Sequence, residues 1–366
     1  MNLVNEFNPT RLTLARKRRG LTKTKFAQNV GVETRTVSAW EHYEFAPESN
    51  RIDQIASVLR FPRSFFFGDD LLEPSPDGAS FRAFTRMTAA QRDIALGVGA
   101  IGFALSEWIE RQFELPVRDL PDLGRELGPE GAADSLRQCW GLGEQPIKNL
   151  LHLLESKGVR VFSVSIDAAE VDAFSVWHLE QPFIFLNTLK SAERSRFDAA
   201  HELGHLIMHR HGSPQGQIAE HEANTFASAF LMPSRSILAN APRLSTVSQL
   251  VKAKKYWGVS VAALAYRLSA LRMVTEWQYR SLFVEIAKKG YRSHEPDEMP
   301  RETSQVLAKV FAALRKDGIS KADISSKLNL PADEIDALVF GLTLTSIDGG
   351  GNSDEGKRGM LRAVKN

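Results

Sequence analysis

Apolar residues in the first part of the chain recur at helical spacing, in short pieces that are mostly separated by glycine. Thr22 is placed to cap the second piece at its N-terminus, and Glu33 or Thr34 the third. The pieces are PTRLTLARKRR, TKTKFAQNV, ETRTVSAWEHY and SNRIDQIASVL, followed by the aromatic stretch FPRSFFFGDD. The pattern predicts a small all-α bundle over residues 1–68.

Further along the chain the pattern changes several times. A proline-rich acidic stretch precedes long amphipathic helices, and three runs of β-branched and aromatic residues follow: VRVFSVS, VDAFSVWH and PFIFLNT. The predicted segments are a linker at 69–82, a helical lead-in at 83–156, a small sheet with two helices at 157–235, trailing helices at 236–283, a helical region of unassigned role at 284–345 and a disordered tail at 346–366. We expect residues 83–283 to form one domain. The order of elements predicts an α+β fold that is mostly helical.

Composition narrows the class of protein further. The net charge is only +2, so the overall charge indicates no partner, and the single cysteine, Cys139, excludes disulfides within one chain and a thiolate zinc cage. The N-terminus lacks an apolar signal-peptide core, and no apolar run approaches the length of about 18 residues that a membrane span needs. The sequence therefore predicts a cytoplasmic protein with no membrane partner.

Charge is concentrated at the N-terminus, where a helix-turn-helix pair would comprise residues 22–29 and 33–42 with NVGVE as the turn. The inward apolar positions would be Ala27, Val30, Val32, Val37 and Trp40. The residues predicted to contact DNA are Lys23, Lys25, Thr34, Arg35, Thr36 and Ser38, with the basic run Arg16–Arg19 as a further phosphate-binding group. The alternative is a helical bundle with a solvated basic face.

The stretch F-A-x-x-V-G-V-x-x-x-T-V-S-x-W-E within residues 9–68 resembles the Cro/repressor (XRE) type of helix-turn-helix domain. The resemblance implies binding to a DNA operator and, because such domains commonly dimerise, a homodimer. The second helix begins TKTKFA, without the glutamine that the family usually has near this start, which puts one DNA contact in doubt but not the fold.

The stretch FDAAHELGHLIMHRHG, residues 197–212, contains the motif H-E-x-x-H. Positions i and i+4 share a helix face, so His201 and His205 can both bind one metal ion, while Glu202 can take a proton from water at the metal. The alternative is a soluble helix with two hydrogen-bonded histidines. The apolar flanks FDAA and LIM favour the metal, because they predict a half-buried helix whose polar residues need partners.

A catalytic zinc needs a third protein ligand. The metzincin pattern would supply His211, but it requires a glycine at position 208, which is Met208, and a continuing helix carries His211 about 280° round from His201. We therefore expect His209 and His211 to be exposed residues near a helix C-terminus. The gluzincin arrangement takes a glutamate from the next helix instead.

That next helix, IAEHEANTFASAFLMP, offers two glutamates. Counting back along the apolar stripe that contains Phe226 and Phe230 favours Glu222 as the third ligand and leaves Glu220 as the alternative. Asn224 and Asp198 are candidates for groups that orient a ligand, or are solvated polar residues. Four residues are unranked candidates for a donor to an oxyanion: Tyr256, Tyr266, His178 and Arg267. The strand PFIFLNT either pairs with an extended substrate or lies inside the sheet.

Taken together, FDAAHELGHLIMH and EHEANTFASAFLMP resemble the ImmA/IrrE family of zinc metallopeptidases, over about residues 135–280. The resemblance implies a gluzincin-type zinc endopeptidase, with Mn²⁺ as a second possible metal, in which the glutamate before Ala-Asn, Glu222, is the third ligand. It also implies a protein substrate, a partner repressor of the XRE type, and a role in stress or mobile-element responses. The alternative is a non-hydrolytic repressor or antitoxin-like protein whose zinc site is structural or sensory.

Overall fold

The computed structural model describes residues 6–74, 88–164, 173–210, 216–241 and 245–343. Within these residues the fold comprises sixteen α-helices and one three-stranded sheet, which confirms the α+β, mostly helical fold. None of the described helices is both long and apolar enough to cross a bilayer. The predicted tail and most of the predicted linker, residues 75–82, lie outside the described residues.

The N-terminal helices are short because their capping residues interrupt them. Thr22, the N-cap of the second helix, accepts a hydrogen bond from the Lys25 backbone N–H, and Gly31 ends the same helix with a φ of 72°, a left-handed conformation that glycine adopts without steric cost. The predicted inward residues are buried, with Val32 only partly so. The elements are α1 (Pro9–Arg18), α2 (Lys23–Val30), α3 (Thr34–Glu41), α4 (Ser49–Leu59) and a 3-10 turn (Arg63–Phe67).

The sheet lies between two layers of helices, and its strand order is β1-β3-β2. β3 pairs with β1 in parallel and with β2 in antiparallel orientation, so PFIFLNT contributes the interior strand rather than an edge. Phe183 and Phe185 of β3 pack against Phe103 of the long helix that covers one face. The elements are α5 (Ala89–Glu110), α6 (Gly128–Cys139), α7 (Leu150–Ser156), β1 (Arg160–Ser163), β2 (Ala173–His178) and β3 (Gln181–Leu186).

The opposite face of the sheet is covered by α8 (Ala192–Met208), the helix that carries H-E-x-x-H, and α9 (Gln217–Leu231) packs along α8. Pro233 separates α9 from the next helix, as its fixed φ and missing N–H favour. The elements are α8 (Ala192–Met208), α9 (Gln217–Leu231), α10 (Ser234–Asn240), α11 (Val247–Trp257), α12 (Val261–Ala270) and α13 (Glu276–Lys288).

The C-terminal helices are tied into the fold by two reciprocal caps. The Glu302 carboxylate accepts hydrogen bonds from the first backbone N–H groups of α7, and the carboxylate of Glu155, on α7, accepts from the first N–H groups of the next C-terminal helix. Both carboxylates thereby satisfy donors that a helix leaves unpaired at its N-terminus. The elements are α14 (Gln305–Lys316), α15 (Lys321–Leu328) and α16 (Ala332–Val339).

The N-terminal helices are not separated from the rest. α1 packs on α5, and Arg18 of α1 forms a buried ion pair with Glu334 of α16, with an N–O distance of 2.9 Å. Arg19 reaches the other oxygen of the Glu334 carboxylate, at 2.8 Å. The C-terminal region, to which the sequence assigned no role, therefore joins the N-terminal helices to the sheet.

Candidate metal centre

Helix α8 brings the two motif histidines to one face. It begins at the N-cap Ser191, whose side chain accepts from the Arg194 backbone N–H, and runs unbroken to Met208. His201 and His205 are four residues apart, and their Nε2 atoms lie 3.1 Å from each other. Both side chains are nearly buried, in agreement with the prediction of a half-buried helix.

Glu220 of α9 completes the cluster. Its carboxylate oxygens lie 3.4 Å from Nε2 of His201 and 3.4 Å from Nε2 of His205. Two ligands of a tetrahedral zinc at the usual bond length of about 2.0–2.1 Å are separated by about 3.3–3.4 Å. The three donors fit this spacing closely, and they have the nitrogen and oxygen chemistry that zinc accepts.

The prediction of Glu222 as the third member of the cluster is corrected by this geometry. Glu220 and Glu222 are two residues apart on a helix, which is about 200° of rotation. The inward stripe of α9 points its aromatic residues into the core, and the side of the helix that faces the histidines carries Glu220 and Asn224. The i, i+4 spacing of these two polar residues was the signal in the sequence that favoured Glu220.

The pKa values of His201, His205 and Glu220 depend on one another. Burial lowers the pKa of His205 to about 4, and the neighbouring His201 and His209 act in the same direction. Burial also opposes the charged form of His201, but its hydrogen bond to Glu220 and the carboxylates around it leave its pKa raised. Although burial opposes the carboxylate of Glu220, the two histidines hold its pKa at about 2. The cluster thus presents an ionised carboxylate to two imidazoles.

Glu202 lies beside the ligands, and a residue of the sheet donates a hydrogen bond to its carboxylate. Ser175 of β2 donates its hydroxyl to Oε2 of Glu202 at 2.7 Å, and both side chains are buried. Since side chains alternate along a strand, Ser175 and Trp177 face α8 while His178 faces α5. No local pattern in the sequence singles out Ser175, because its role depends on the packing of β2 against α8.

Each histidine of the cluster also has a partner at Nδ1. His201 Nδ1 lies 3.1 Å from Oδ1 of Asn224, as the sequence allowed. His205 Nδ1 lies 2.9 Å from Nδ1 of His209. The expectation that His209 is an exposed bystander was therefore wrong, since its side chain is only 6% exposed. His211 lies outside the described residues.

Glu222 belongs to this outer layer. Its Oε2 lies 2.9 Å from Nε2 of His209 and accepts a hydrogen bond of 2.9 Å from Nε of Arg125. Nη2 of Arg125 contacts the other carboxylate oxygen. The hydrogen bonds from Arg125 and, to a lesser extent, from His209 hold the pKa of Glu222 below its usual value. Arg125 precedes Glu222 by 97 residues in the chain, which is why its contact could not be read from local spacing.

A cavity of about 430 Å³ lies beside the cluster and is lined by residues of α8, α9 and α12. Asn224, the partner of His201, is part of its lining, and so is Tyr266 of α12. The lining residues are Lys190, Arg194, Phe197, Asp198, His221, Asn224, Ser228, Ser260, Ala263 and Tyr266. Asp198 lies there as well, but its carboxylate is paired with Lys190 Nζ at 2.6 Å.

Of the oxyanion donor candidates, the cavity includes only Tyr266. His178 stacks on Phe103 at 3.9 Å, on the α5 face of the sheet, away from α8. Arg267 is buried and binds the Glu130 carboxylate and the Met232 carbonyl. Tyr256 is exposed, with its ring against Trp257.

The six residues predicted to contact DNA divide into two groups. Lys25, Thr34 and Arg35 are exposed, and the Arg35 side chain is 85% exposed with a local ion pair to Glu33. Lys23 instead donates to Ser38 Oγ at 3.2 Å and pairs with Glu41. Thr36 and Ser38 are partly buried.

The basic run Arg16–Arg19 does not form the phosphate-binding surface that we expected. Arg16 is buried and paired with Glu41 at 2.6 Å, and Arg18 and Arg19 are paired with Glu334. The ion pair of Lys17 is looser, with an N–O distance of 3.9 Å to Asp93. The density of basic residues in the sequence led us to overestimate the unpaired positive charge, because the acidic partners Glu41 and Glu334 lie outside this run.

Part of the chain matches a known family. Residues 154–269 match the model of peptidase family M78, described as an IrrE N-terminal-like domain. The match covers the sheet, both helices of the cluster and most of α12, and it supports the metallopeptidase-like part of the expected architecture. It does not extend to the N-terminal helices. No curated protein matches the chain.

Proposed function

We propose that this protein is a zinc-dependent endopeptidase and DNA-binding regulator that cleaves a partner repressor of the XRE type. The observation that carries the peptidase half is the convergence of His201, His205 and Glu220 beside the buried carboxylate of Glu202. A purely structural site with these three ligands needs no second carboxylate beside it, and burying a carboxylate costs free energy even when it is hydrogen-bonded. The matched IrrE N-terminal-like domain agrees with this assignment.

The ligands would be Nε2 of both histidines and the carboxylate of Glu220. Two imidazoles with one carboxylate favour zinc, whereas manganese prefers a larger share of oxygen donors. When bound by such a set, zinc supplies a water of lowered pKa and polarises a carbonyl group.

The chain's own residues supply the proton transfer and the orientation. Glu202 accepts a proton from the attacking water at its carboxylate and returns it to the leaving nitrogen of the peptide. Ser175, by donating to Oε2, fixes which carboxylate oxygen faces the reaction. Asn224 accepts from Nδ1 of His201 and so keeps its Nε2 free of hydrogen. The cavity that begins at Asn224 would hold a substrate side chain, with Tyr266 as the candidate donor to the oxyanion.

The first experiment measures metal content by elemental mass spectrometry, on protein purified without chelator. We expect about one zinc per chain in the wild type, loss of zinc in Glu220→Ala and retention of most of it in Glu222→Ala. Loss confined to Glu222→Ala would restore that residue as the third ligand. If the wild type takes up no zinc even when it is supplied, the peptidase half of the proposal fails.

The second experiment tests cleavage. Glu202→Gln should keep the zinc but lose about 10²–10⁴-fold in cleavage rate of a co-expressed XRE-type repressor, read by the appearance of a defined fragment. If wild type and Glu202→Gln bind zinc alike and neither cuts any candidate, the non-hydrolytic repressor is the better description.

The DNA-binding half rests on the exposed start of α3 and on the resemblance of residues 9–68 to XRE domains. Arg35→Ala should weaken operator binding measured by fluorescence anisotropy, by about 1–3 kcal/mol if Arg35 reads a base. Arg280→Ala is the matched control, because Arg280 is also an exposed arginine paired with a nearby glutamate. Equal effects of the two substitutions would remove α3 as the recognition helix.

A further inference from the structure

We propose that His209 and Glu222 act as positioning residues for the ligand His205, through a hydrogen-bonded relay that ends at Arg125. The inference deepens the proposed function and rests on its metal-binding part, since His205 needs to be oriented only if it holds a metal. The relay consists of the contacts His205–His209, His209–Glu222 and Glu222–Arg125.

The relay follows from the arrangement of ring nitrogens. Nε2 of His205 points at Nε2 of His201 and at Glu220, so Nε2 is the atom that would bind the metal. Its lone pair must then be free, and the proton of the neutral ring is on Nδ1. That Nδ1–H lies 2.9 Å from Nδ1 of His209 and donates to it.

The next link is fixed by the same reasoning. If Nδ1 of His209 accepts, its own proton is on Nε2, which lies 2.9 Å from Oε2 of Glu222 and donates to it. One set of tautomers therefore satisfies both contacts, with both rings neutral and the negative charge on Glu222. The reverse set would put a proton on Nε2 of His205, the atom that would bind the metal, and would turn the Nε2 lone pair of His209 toward the Glu222 carboxylate.

Glu222 is held in turn. Arg125 binds its carboxylate through Nε and Nη2, a two-point contact that fixes the plane of the group as a single ammonium would not. The side chain of Glu222 is 17% exposed and that of Arg125 is 41% exposed, so the outer end of the relay lies near the surface. The relay thereby connects the ligand His205 to the charge of Arg125 through three contacts.

The location of His209 makes this role specific. It is the C-cap residue of α8, one helical turn beyond His205, so the end of the helix determines where its ring lies. His201 is oriented by the amide oxygen of Asn224, a neutral acceptor, whereas His205 is connected to a carboxylate. A relay that ends in a carboxylate raises the basicity of the ligand and locks its ring plane.

The test measures zinc affinity by competition with a chromophoric chelator. We expect His209→Phe to weaken zinc binding by about 10–100-fold, and His209→Gln, whose amide oxygen can accept from Nδ1 of His205, to weaken it less. Glu222→Gln removes the negative charge and one acceptor oxygen near the surface, and it should weaken zinc binding in the same direction by a smaller factor. The thermal midpoint of each metal-free variant shows whether the fold itself has changed.

The matched control is His42→Phe. His42 is also the C-cap residue of its helix, and its Nδ1 lies 2.6 Å from the Ser38 carbonyl oxygen one turn back, but it belongs to the N-terminal helices. This variant should leave zinc affinity unchanged.

The outcomes separate the two proposals. If the wild type binds zinc tightly and His209→Phe stays within about twofold of it, the relay is overturned and the metal site stands. If His209→Phe does not fold, Glu222→Gln decides by the same criterion. If the wild type binds no zinc, the proposed function fails and the relay fails with it.

Discussion

Phe226 lies directly against Gly204: a Cβ placed on Gly204 would be 2.9 Å from Cδ1 of the Phe226 ring. Gly204 is the residue before His205 on α8, and Phe226 is a fully buried residue of α9. The absence of a side chain at 204 lets the two helices approach closely, and it is this approach that brings Glu220 within 3.4 Å of both histidines.

We therefore predict that Gly204→Ala weakens the metal site. In an isolated helix the substitution stabilises by about 1 kcal/mol, but forcing a methyl group into a packed contact costs about 1–3 kcal/mol. Because Phe226 has no free space, α9 must shift, and Glu220 moves with it. Zinc affinity measured by chelator competition should fall by at least about tenfold, while the metal-free protein keeps its helical circular dichroism.

Gly131→Ala, in α6, is the control for helix propensity, since Gly131 is remote from the motif in sequence and its Cβ would meet only Leu127. It should leave zinc affinity unchanged. Unaltered zinc binding in Gly204→Ala would show that the approach of α8 and α9 does not determine the site.

Periodicity was sufficient to place His201, Glu202 and His205, because their relative positions depend only on the pitch of one helix. Periodicity did not identify the third ligand when it was applied to the apolar stripe of α9. The sequence assigned Glu222 from an apolar stripe that indicates which side of α9 faces the core, but not which edge of that side faces α8. The actual edge is set by the contact of Phe226 with Gly204, between residues of two helices.

A second prediction concerns Ser175 and the orientation of Glu202. Removing the hydroxyl in Ser175→Ala leaves a buried carboxylate oxygen with a hydrogen bond fewer, and hydrogen bonds to charged groups contribute about 1.5–3 kcal/mol. The cleavage rate constant kcat should fall by about 10–100-fold, with zinc content unchanged. This loss is smaller than that expected for Glu202→Gln, because the general base is still present.

Ser163→Ala provides the comparison for Ser175→Ala. Ser163 is another buried serine of the same sheet, whose hydroxyl contacts Thr188 Oγ1 at 2.9 Å instead of an active-site carboxylate. Its substitution should affect stability but not kcat. Similar kinetic losses in both variants would show that the effect comes from the sheet as a whole.

The N-terminal basic run illustrates a different limit of sequence reasoning. Helix α1 and its apolar spacing were predictable from local pattern. Which of its arginines are paired with carboxylates and which remain unpaired was not. Arg18 and Glu334 are separated by 316 residues in the chain and yet form a buried pair. Because a buried charge must find a partner, and no local pattern shows which, a cluster of arginines in a sequence is compatible with a free surface or with an interface.

The buried pair leads to a prediction on stability. Glu334→Leu leaves the Arg18 guanidinium buried without its main counter-charge, which should lower the free energy of unfolding by about 3–5 kcal/mol. The double variant Arg18→Met, Glu334→Leu should recover part of the loss, because an apolar pair of similar volume avoids the cost of desolvating two charges. Urea unfolding followed by circular dichroism measures both. A double variant less stable than Glu334→Leu would mean that Arg18 stabilises the fold by contacts other than this pair.

The cavity between α8, α9 and α12 yields the last prediction. If it receives a substrate side chain, filling it with an indole in Ala263→Trp should raise the KM for a protein substrate by about tenfold or more, because a lost side-chain pocket removes about 1–3 kcal/mol of binding. Zinc affinity should not change, since Ala263 belongs to α12 and contributes no ligand. Ala270→Trp, at the exposed end of the same helix, separates this effect from that of a bulky residue on α12. If KM is the same in both variants and in the wild type, the substrate does not enter this cavity and must bind elsewhere around the histidines.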